Sequence, residues 1–204
     1  MASMRVHELA KEFDMSSGDL LDRLKEMKIP AKSHASMLND AYVDKIRKNL
    51  EPEIRARAGA LAHYLFDPSV HADDNLAYYL VGEGVGLGVI DNGRLINGFL
   101  GAATEIGHIS VDVNGKPCDC GNYGCLERYC SANAIHEMLN KQPYIVPGCE
   151  TMTHAQACAA LFAKNAAGDE ATAELTSEIA RYIGYGAVNI INAFNPTHIV
   201  LGDI

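Results

Sequence analysis

The sequence predicts a chain in two parts: a small all-α module of three helices in residues 1–57 and an α/β domain in residues 58–204. Apolar residues recur at helical spacing through the first 50 residues, whereas residues 76–81 form a buried-strand pattern that ends in alternate glycines. The charge also changes along the chain. Residues 1–57 contain 11 Lys and Arg against 10 Asp and Glu, and the remaining residues contain 6 against 16. Two modules of different composition are therefore expected.

Composition excludes several classes of protein. The 204 residues are 48% hydrophobic, which supports a core, but no apolar run approaches the roughly 20 residues of a membrane span. The first residues have no signal-peptide core, so we expect a soluble cytoplasmic protein with no membrane partner. In that setting the six cysteines indicate metal ligands or reduced thiols. The acidic second part has no basic stripe that would bind nucleic acid.

Three helices are predicted in the first part, and the second and third begin at recognisable caps. The first covers residues 6–13, the second begins at Ser16, and the third begins at Asn39 or Asp40. The inward-facing residues of the third helix are Tyr42, Val43, Ile46 and Leu50. The pattern fits a small packing module, and it also fits a helix-turn-helix that reads DNA.

The first part resembles the N-terminal domain of bacterial translation initiation factor 2. The match covers residues 4–57 and is carried by three segments, MRVHELAKEFDMSSGDLLDRLKEMKI at 4–29, KSHAS at 32–36 and DKIR at 44–47. In that family the domain is an accessory module remote from the GTPase, and no GTPase phosphate loop occurs in this sequence. The resemblance implies a partner in the translation machinery for residues 1–57.

Helices and strands alternate in the second part. A helix is expected over residues 59–66, a strand over 76–81, a hairpin turn at Asn92-Gly93, and a short buried strand over 198–201. Three further helices are predicted over residues 131–140, 153–165 and 169–194. These elements are typical of one α/β domain.

One histidine and three cysteines lie within eighteen positions, and we interpret them as a zinc knuckle. The residues are His108, Cys118, Cys120 and Cys125. Structural zinc sites take four such nitrogen and sulfur ligands, and the neighbouring glycines let a short loop turn its donors inward. Buried unligated thiols or disulfides are the alternatives, although unstrained disulfides are hard to form at this spacing. Cys130, Cys149 and Cys158 are expected to be packing residues.

Two carboxylates and a glycine run accompany the knuckle. Glu105 precedes the first predicted ligand by three residues and Glu127 follows the last by two, so both acids are expected near one pocket with His108. Fixed carboxylates accept hydrogen bonds from sugar hydroxyls, but these acids could equally be solvated or support the zinc ligands. The glycine run, GEGVGLG at 82–88, fits either an anion-binding loop at Gly82, Gly84 and Gly86 or a tight β-bend.

The second part, residues 60–204, resembles the ROK family of repressors, open reading frames and kinases. The motifs are GEGVGLG at 82–88, Asn92-Gly93, EIGH at 105–108, CDCGNYGCLE at 118–127 and NPTHIVLG at 195–202. The resemblance implies a partial actin-like sugar-kinase lobe, with zinc on His108, Cys118, Cys120 and Cys125. It also implies that Glu105, His108 and Glu127 hold the hydroxyls of a hexose or a derivative.

Departures from the family pattern weaken the prediction of catalysis. Glu83 lies in the glycine run, where the kinases carry Thr or Ser, and its charge is expected to repel the phosphates of ATP. The family's Asn-Asp-x-Asn segment, which supplies the general base, is replaced by IRARAG at 54–59, and the first phosphate hairpin is also missing. We therefore predict no catalytic residue and no phosphoryl transfer by this chain alone.

We interpret the chain as a composite of these two parts. A spliced, misassembled or truncated gene product is favoured over a genuine gene fusion as its origin. The favoured function is a zinc-stabilised sugar-binding lobe of the repressor or kinase type. The alternatives are a ribosome-interacting accessory protein and a DNA reader. An exposed apolar cleft surface is also expected to favour a homo-oligomer.

Overall fold

The computed structural model describes residues 3–13, 15–98 and 103–202. Residues 203–204, which close the segment that resembles the ROK family, lie outside these ranges. The helices and strands follow in this order: β1 (Met4–Arg5), α1 (Val6–Glu12), α2 (Ser17–Glu26), β2 (Met37–Leu38), α3 (Asp40–Phe66), β3 (Leu76–Val81), β4 (Val85–Asp91), β5 (Arg94–Leu95), α4 (Glu127–Cys130), α5 (Ala132–Lys141), α6 (His154–Ala166), α7 (Glu170–Phe194) and β6 (His198–Gly202). Two short 3-10 helices cover Ile106–His108 and Cys149–Thr151.

The three predicted helices of the first part are present. The side chain of Ser16 accepts a hydrogen bond from the Asp19 N–H at the start of α2, and Asn39 caps α3 through the Tyr42 N–H. The short strands β1 and β2 pair antiparallel beside them. Ten buried apolar residues form one cluster among these elements: Val6, Leu9, Ala10, Leu20, Leu24, Ile29, Leu38, Val43, Ile46 and Leu50.

Helix α3 differs from the prediction of two separate helices. It runs without interruption from Asp40 to Phe66, so the boundary placed between residues 57 and 58 falls inside it. Pro52 lies within the helix and has no N–H to donate to the carbonyl of Lys48. The helix continues because its first half packs on the apolar cluster of the first part and its second half packs on the sheet. The division of the chain into two domains stays a prediction.

The larger sheet has four strands in the order β5-β4-β3-β6. Strands β3 and β4 pair antiparallel with Leu76 opposite Ile90, and β6 pairs parallel to β3. Asn92 and Gly93 have φ angles of 48° and 72°. Two positive φ angles are typical of a type I′ turn, which confirms the predicted hairpin turn between β4 and β5. The prediction of a buried strand at 198–201 is correct in its position but wrong in its burial. Strand β6 lies at the sheet edge, and its Leu201 is 58% exposed.

The glycines of β4 allow helix α3 to approach the sheet at backbone distance. A Cβ atom on Gly86 would lie 2.4 Å from the carbonyl oxygen of Pro52, and one on Gly88 would lie 2.3 Å from that of Ala56. Real Cβ atoms essentially never come this close. A side chain at either position would therefore push the helix away from the strand.

The opposite face of the sheet packs on the C-terminal helices. Helices α5 and α6 begin near residues 131 and 153, as the sequence predicts. The Ser131 side chain accepts a hydrogen bond from the Ala134 N–H, and the Thr153 side chain accepts one from the Gln156 N–H. Cys130, Cys149 and Cys158 are buried in this core, as expected of packing residues. The core gathers twenty buried residues, among them Tyr79, Leu87, Leu126, Ile135 and Ile179.

An apolar surface remains exposed along α7 and β6. Its large side chains are Tyr185, Val188 and Ile191 on α7 and Ile199 and Leu201 on β6, each between 36% and 58% exposed. No helix in the described ranges combines the length and the apolar character needed to cross a bilayer.

We expect Gly86→Ala to lower the free energy of unfolding by about 1–3 kcal/mol, because the added methyl group overlaps the backbone of α3. Gly184→Ala is the matched control. It lies in α7 with nothing within 4 Å of the added atom, so it should be neutral or stabilise by up to about 1 kcal/mol. Urea unfolding measures both. Equal stability of the two variants would contradict the close packing of α3 on β4.

Candidate metal and ligand site

The four predicted metal ligands converge. The ligand atoms of His108, Cys118, Cys120 and Cys125 all lie within 4.8 Å of one another. The Nδ1 atom of His108 is 3.7 Å from the Cys118 sulfur, and the sulfurs of Cys120 and Cys125 are 3.6 Å apart. Cys125 is buried and Cys120 is exposed, so the cluster sits at the surface of the core.

A compact loop creates this convergence. The Cys118 N–H donates to Asn122, the Gly121 N–H donates to Cys118, and the Gly124 N–H donates to Lys116. Gly121 and Gly124 have φ angles of 94° and 65°, a region that favours glycine. At Gly124 a Cβ atom would lie only 1.7 Å from the carbonyl oxygen of Asp112. The chain can reverse tightly enough to bring Cys125 back to Cys120 only because this position has no side chain.

The donor set fits a tetrahedral metal ion better than a disulfide. All six cysteines are free thiols. Zn–S bonds of about 2.3 Å in a tetrahedron separate two ligand sulfurs by about 3.8 Å. The 3.6 Å between the sulfurs of Cys120 and Cys125 is close to that value and far above a disulfide length. Burial raises the pKa of Cys118 and of Cys125, so a bound cation is needed to hold both as thiolates.

Glu105, His108 and Glu127 line one cavity of about 270 Å³. His108 ends the 3-10 helix Ile106–His108 and Glu127 begins α4, so short helices orient both side chains. The His108 Nδ1 atom is 3.9 Å from Glu127 Oε1. Burial raises the pKa of Glu127, and the neighbouring imidazole acts in the opposite direction. The structure thus brings together the three residues predicted to bind a sugar, next to the metal-ligand cluster.

The backbone before Glu105 is held in an unusual conformation. Thr104 has a φ angle of 67°, which is rare for a β-branched residue. Its hydroxyl donates to the Leu87 carbonyl at 2.6 Å, and its own carbonyl accepts from the Ile106 N–H at 2.7 Å. These bonds fix the backbone from which the Glu105 side chain projects.

The glycines predicted to form an anion loop have a packing role. A Cβ atom on Gly84 would lie 2.7 Å from Pro52 Cγ and 3.3 Å from Glu127 Oε2, and Gly86 faces the Pro52 carbonyl. Gly82 closes the turn between β3 and β4 by donating to Gly84. The close contact with α3 is sufficient to explain why positions 84 and 86 are glycine, so a bound phosphate is not needed as the explanation. Phosphate binding there stays a prediction.

Arg23 lies close to the candidate site but was not singled out in the sequence. Its guanidinium contacts both oxygens of Glu53 at 2.8 Å and Glu105 Oε1 at 3.4 Å, and its side chain is only 10% exposed. Arg57 also pairs with Glu53. No short-range pattern could have identified Arg23, because 82 positions separate it from Glu105.

His154 is a second residue that sequence reasoning missed. It lines the same cavity, and its Nδ1 atom lies 2.7 Å from the Glu83 carboxylate. His136 is buried and contacts the Cys149 carbonyl, and His198 lies 3.8 Å from Asp74. These two histidines lie outside the metal-ligand cluster.

Comparison with known proteins defines the class of this fold and site. The ROK family model matches residues 23–203. The xylose repressor of Bacillus subtilis is 34% identical over 149 residues, which are 73% of this chain and 36% of the repressor. The ROK hexokinase of Thermus thermophilus superposes with a TM-score of 0.60 and 31% identity, over 72% of this chain and 47% of the hexokinase.

A ROK family glucokinase from Streptomyces griseus, solved with glucose and AMPPNP, gives a TM-score of 0.62 and 26% identity. The match covers 78% of this chain and 55% of the glucokinase. Both of these structural neighbours are ROK sugar kinases. The chain belongs to the ROK family.

The extent of the match changes the sequence-based picture in two ways. The family match begins at residue 23, inside α2, and not at residue 60, where the sequence-based resemblance begins. The chain spans about a third of the length of the first curated relatives. The resemblance of residues 4–57 to initiation factor 2 stays a prediction.

We expect Cys120→Ser to remove the bound metal and lower the free energy of unfolding by about 3 kcal/mol or more, because metal-binding free energy is folding free energy. Cys120 is exposed, so the substitution itself disturbs little packing. Elemental analysis after dialysis and hydrogen exchange over residues 105–127 are the measurements.

Cys158→Ala is the control for this experiment, since it removes a buried thiol outside the cluster. It should retain one zinc ion per chain. The metal site would be refuted by unchanged exchange at 105–127 in the Cys120→Ser protein, or by a parent protein that contains no metal.

Proposed function

We propose that the chain contains a zinc-stabilised sugar-binding lobe of the ROK repressor and kinase type. The single observation that supports this function is the convergence of Glu105, His108 and Glu127 on one cavity beside the Cys/His cluster. The relatives agree with it at the level of ligand class. The B. subtilis relative is a xylose repressor, and the S. griseus glucokinase was solved with glucose.

The proposed binding mode relies on hydrogen bonds to neighbouring hydroxyls. Each carboxylate can accept from two hydroxyl groups of one sugar, which gives both orientation and affinity. His108 faces Cys118 with Nδ1, so its Nε2 atom is left for a third hydroxyl. The carboxylates and the imidazole thus provide a polar surface matched to a polyhydroxylated ligand.

Zinc has a structural role in this proposal. His108, Cys118, Cys120 and Cys125 would hold it, and the ion would keep the loop closed and the His108 ring oriented. A closed four-ligand site leaves no open position at the metal. The hexose or derivative would therefore be recognised by side chains of the protein.

We also propose that this chain alone does not transfer a phosphoryl group. Glu83 lies at the turn between β3 and β4 and lines the cavity, with its carboxylate 2.7 Å from His154 Nδ1. A neutral imidazole leaves the negative charge of Glu83 in place, and that charge opposes the approach of ATP phosphates. The segment expected to supply a general base is absent from the sequence, and the corresponding residues lie within helix α3.

Sugar binding is tested by isothermal titration calorimetry with D-glucose and D-xylose. Glu127→Gln and Glu105→Gln should each weaken binding by about tenfold or more, because a charge-assisted hydrogen bond contributes about 1.5–3 kcal/mol. Glu174→Gln on the exposed side of α7 is the matched control and should leave the affinity unchanged. The same samples with ATP and Mg²⁺ should form no ADP. Equal affinities in all variants would refute the site, and sugar-dependent ADP formation would refute the absence of phosphoryl transfer.

A second candidate function is an accessory role in translation. The first three helices share an apolar cluster of their own, which is compatible with a module that has a separate partner. The chain should then co-sediment with ribosomes at low salt, and charge reversal of Lys25 and Lys28 should abolish this. Lys32 and Lys48 reversals provide a control of equal charge. An absence of ribosome association would remove this candidate.

Self-association also stays a proposal. The exposed apolar side chains along α7 and β6 support it, because a contiguous apolar surface favours contact with another protein surface. Sedimentation velocity tests it directly, and a monomer at all concentrations would count against it.

A further inference from the structure

The first helices supply a residue to the candidate sugar site. Arg23 projects from α2 and reaches Glu105, 82 positions away, as well as Glu53 on α3. The side chains of Arg23 and Glu53 are 10% and 6% exposed, so this is a buried ion pair. Glu105 is 32% exposed and connects the pair to the cavity.

We propose that Arg23 is a positioning residue for ligand binding, acting through Glu105. This inference rests on the proposed sugar site. The guanidinium is a planar fork, so its two terminal nitrogens can serve different carboxylates at once. Nη2 contacts both oxygens of Glu53 at 2.8 Å, and Nη1 contacts Oε1 of Glu105 at 3.4 Å. The second oxygen of Glu105 is thereby oriented while it remains available to a sugar hydroxyl.

Like-charge repulsion favours a cation beside Glu105. Glu53, Glu105 and Glu127 all line the cavity that is proposed to hold the sugar. Carboxylates gathered at partly buried positions repel one another, and a mobile Glu105 would turn towards solvent. Arg57 and Arg23 both pair with Glu53. Arg23 also contacts Glu105, so Arg23 offsets the repulsion at the carboxylate that faces the ligand.

The backbone around Glu105 is fixed, so the conformational freedom that remains is that of the Glu105 side chain. Thr104 and the 3-10 helix Ile106–His108 fix the main chain on both sides of Glu105. What is left to determine is the rotamer of the Glu105 side chain. Its contact with Arg23 restricts that rotamer.

A thermodynamic consequence links the sugar site to α2. If the contact between Arg23 and Glu105 favours the ligand-binding orientation, ligand binding must favour that contact by the same free energy. Sugar should therefore slow hydrogen exchange in residues 17–26. Competition between sugar and Arg23 for Glu105 would produce the opposite result, faster exchange.

The test compares Arg23→Met, Arg23→Lys and Arg47→Met in the full chain. Arg47 pairs with Glu12 at 2.8 Å on the surface of the first helices, so its loss removes an arginine ion pair away from the cavity. Calorimetry with D-glucose and D-xylose should give about tenfold weaker binding for Arg23→Met and an intermediate loss for Arg23→Lys. Arg47→Met should stay within about twofold of the parent.

Hydrogen exchange separates positioning from general stability. Sugar should protect residues 17–26 in the parent and in Arg47→Met but not in Arg23→Met. A purely structural role would change exchange in α2 equally with and without sugar. Unchanged affinity in Arg23→Met, or faster exchange in α2 on adding sugar, would overturn the inference.

A sugar-free measurement distinguishes this inference from the proposed function. A parent protein that binds neither sugar would refute the proposed function. The positioning role is then judged without ligand, from the Glu105 side-chain rotamer, which three-bond NMR couplings across its Cα–Cβ bond report. Arg23→Met should average these couplings over several rotamers and Arg47→Met should not. Equal couplings in the two variants would refute the role of Arg23.

Discussion

The contact between helix α3 and strand β4 determines where the other parts of the molecule lie. Because Gly86 and Gly88 have no side chains, the helix backbone at Pro52 and Ala56 lies directly on the strand. The same close approach places Pro52 against Gly84. A Cβ atom on Gly84 would also lie 3.3 Å from Glu127 Oε2, so the helix, the glycine and this carboxylate are neighbours. One wall of the cavity is therefore the helix itself. A looser contact would move Glu53, and with it the ion pair to Arg23, away from Glu105.

Features that depend on local spacing could be predicted from the sequence. The caps at Ser16, Ser131 and Thr153 each use a side chain and an N–H three residues apart, so a short segment contains the whole interaction. The Cys/His cluster is also local, since its four members lie within eighteen positions and tight turns at glycine bring them together. Glu105 and Glu127 lie on either side of this cluster in the sequence, so the turns that close the cluster also bring the two carboxylates to one cavity.

Features that depend on long-range packing could not be predicted in this way. The apolar residues in the two halves of α3 face different partners. The sequence therefore shows two separate periodic segments, although the helix backbone is continuous. The exposure of β6 depends on its place at the sheet edge, which its apolar sequence does not reveal. Arg23 and His154 contact carboxylates 82 and 71 positions away. Nothing near either residue in the chain indicates its partner.

The continuity of α3 has a mechanical consequence. Its 27 residues form a rod of about 40 Å, and a helix resists bending far more than a loop does. Pro52 has no N–H to donate within the helix, so bending should concentrate there and not at the junction near residue 57. Pro52 also touches the strand glycines and lines the cavity, so a bend at this position would change the cavity wall. A displacement of the first helices would therefore be transmitted to the cavity through α3.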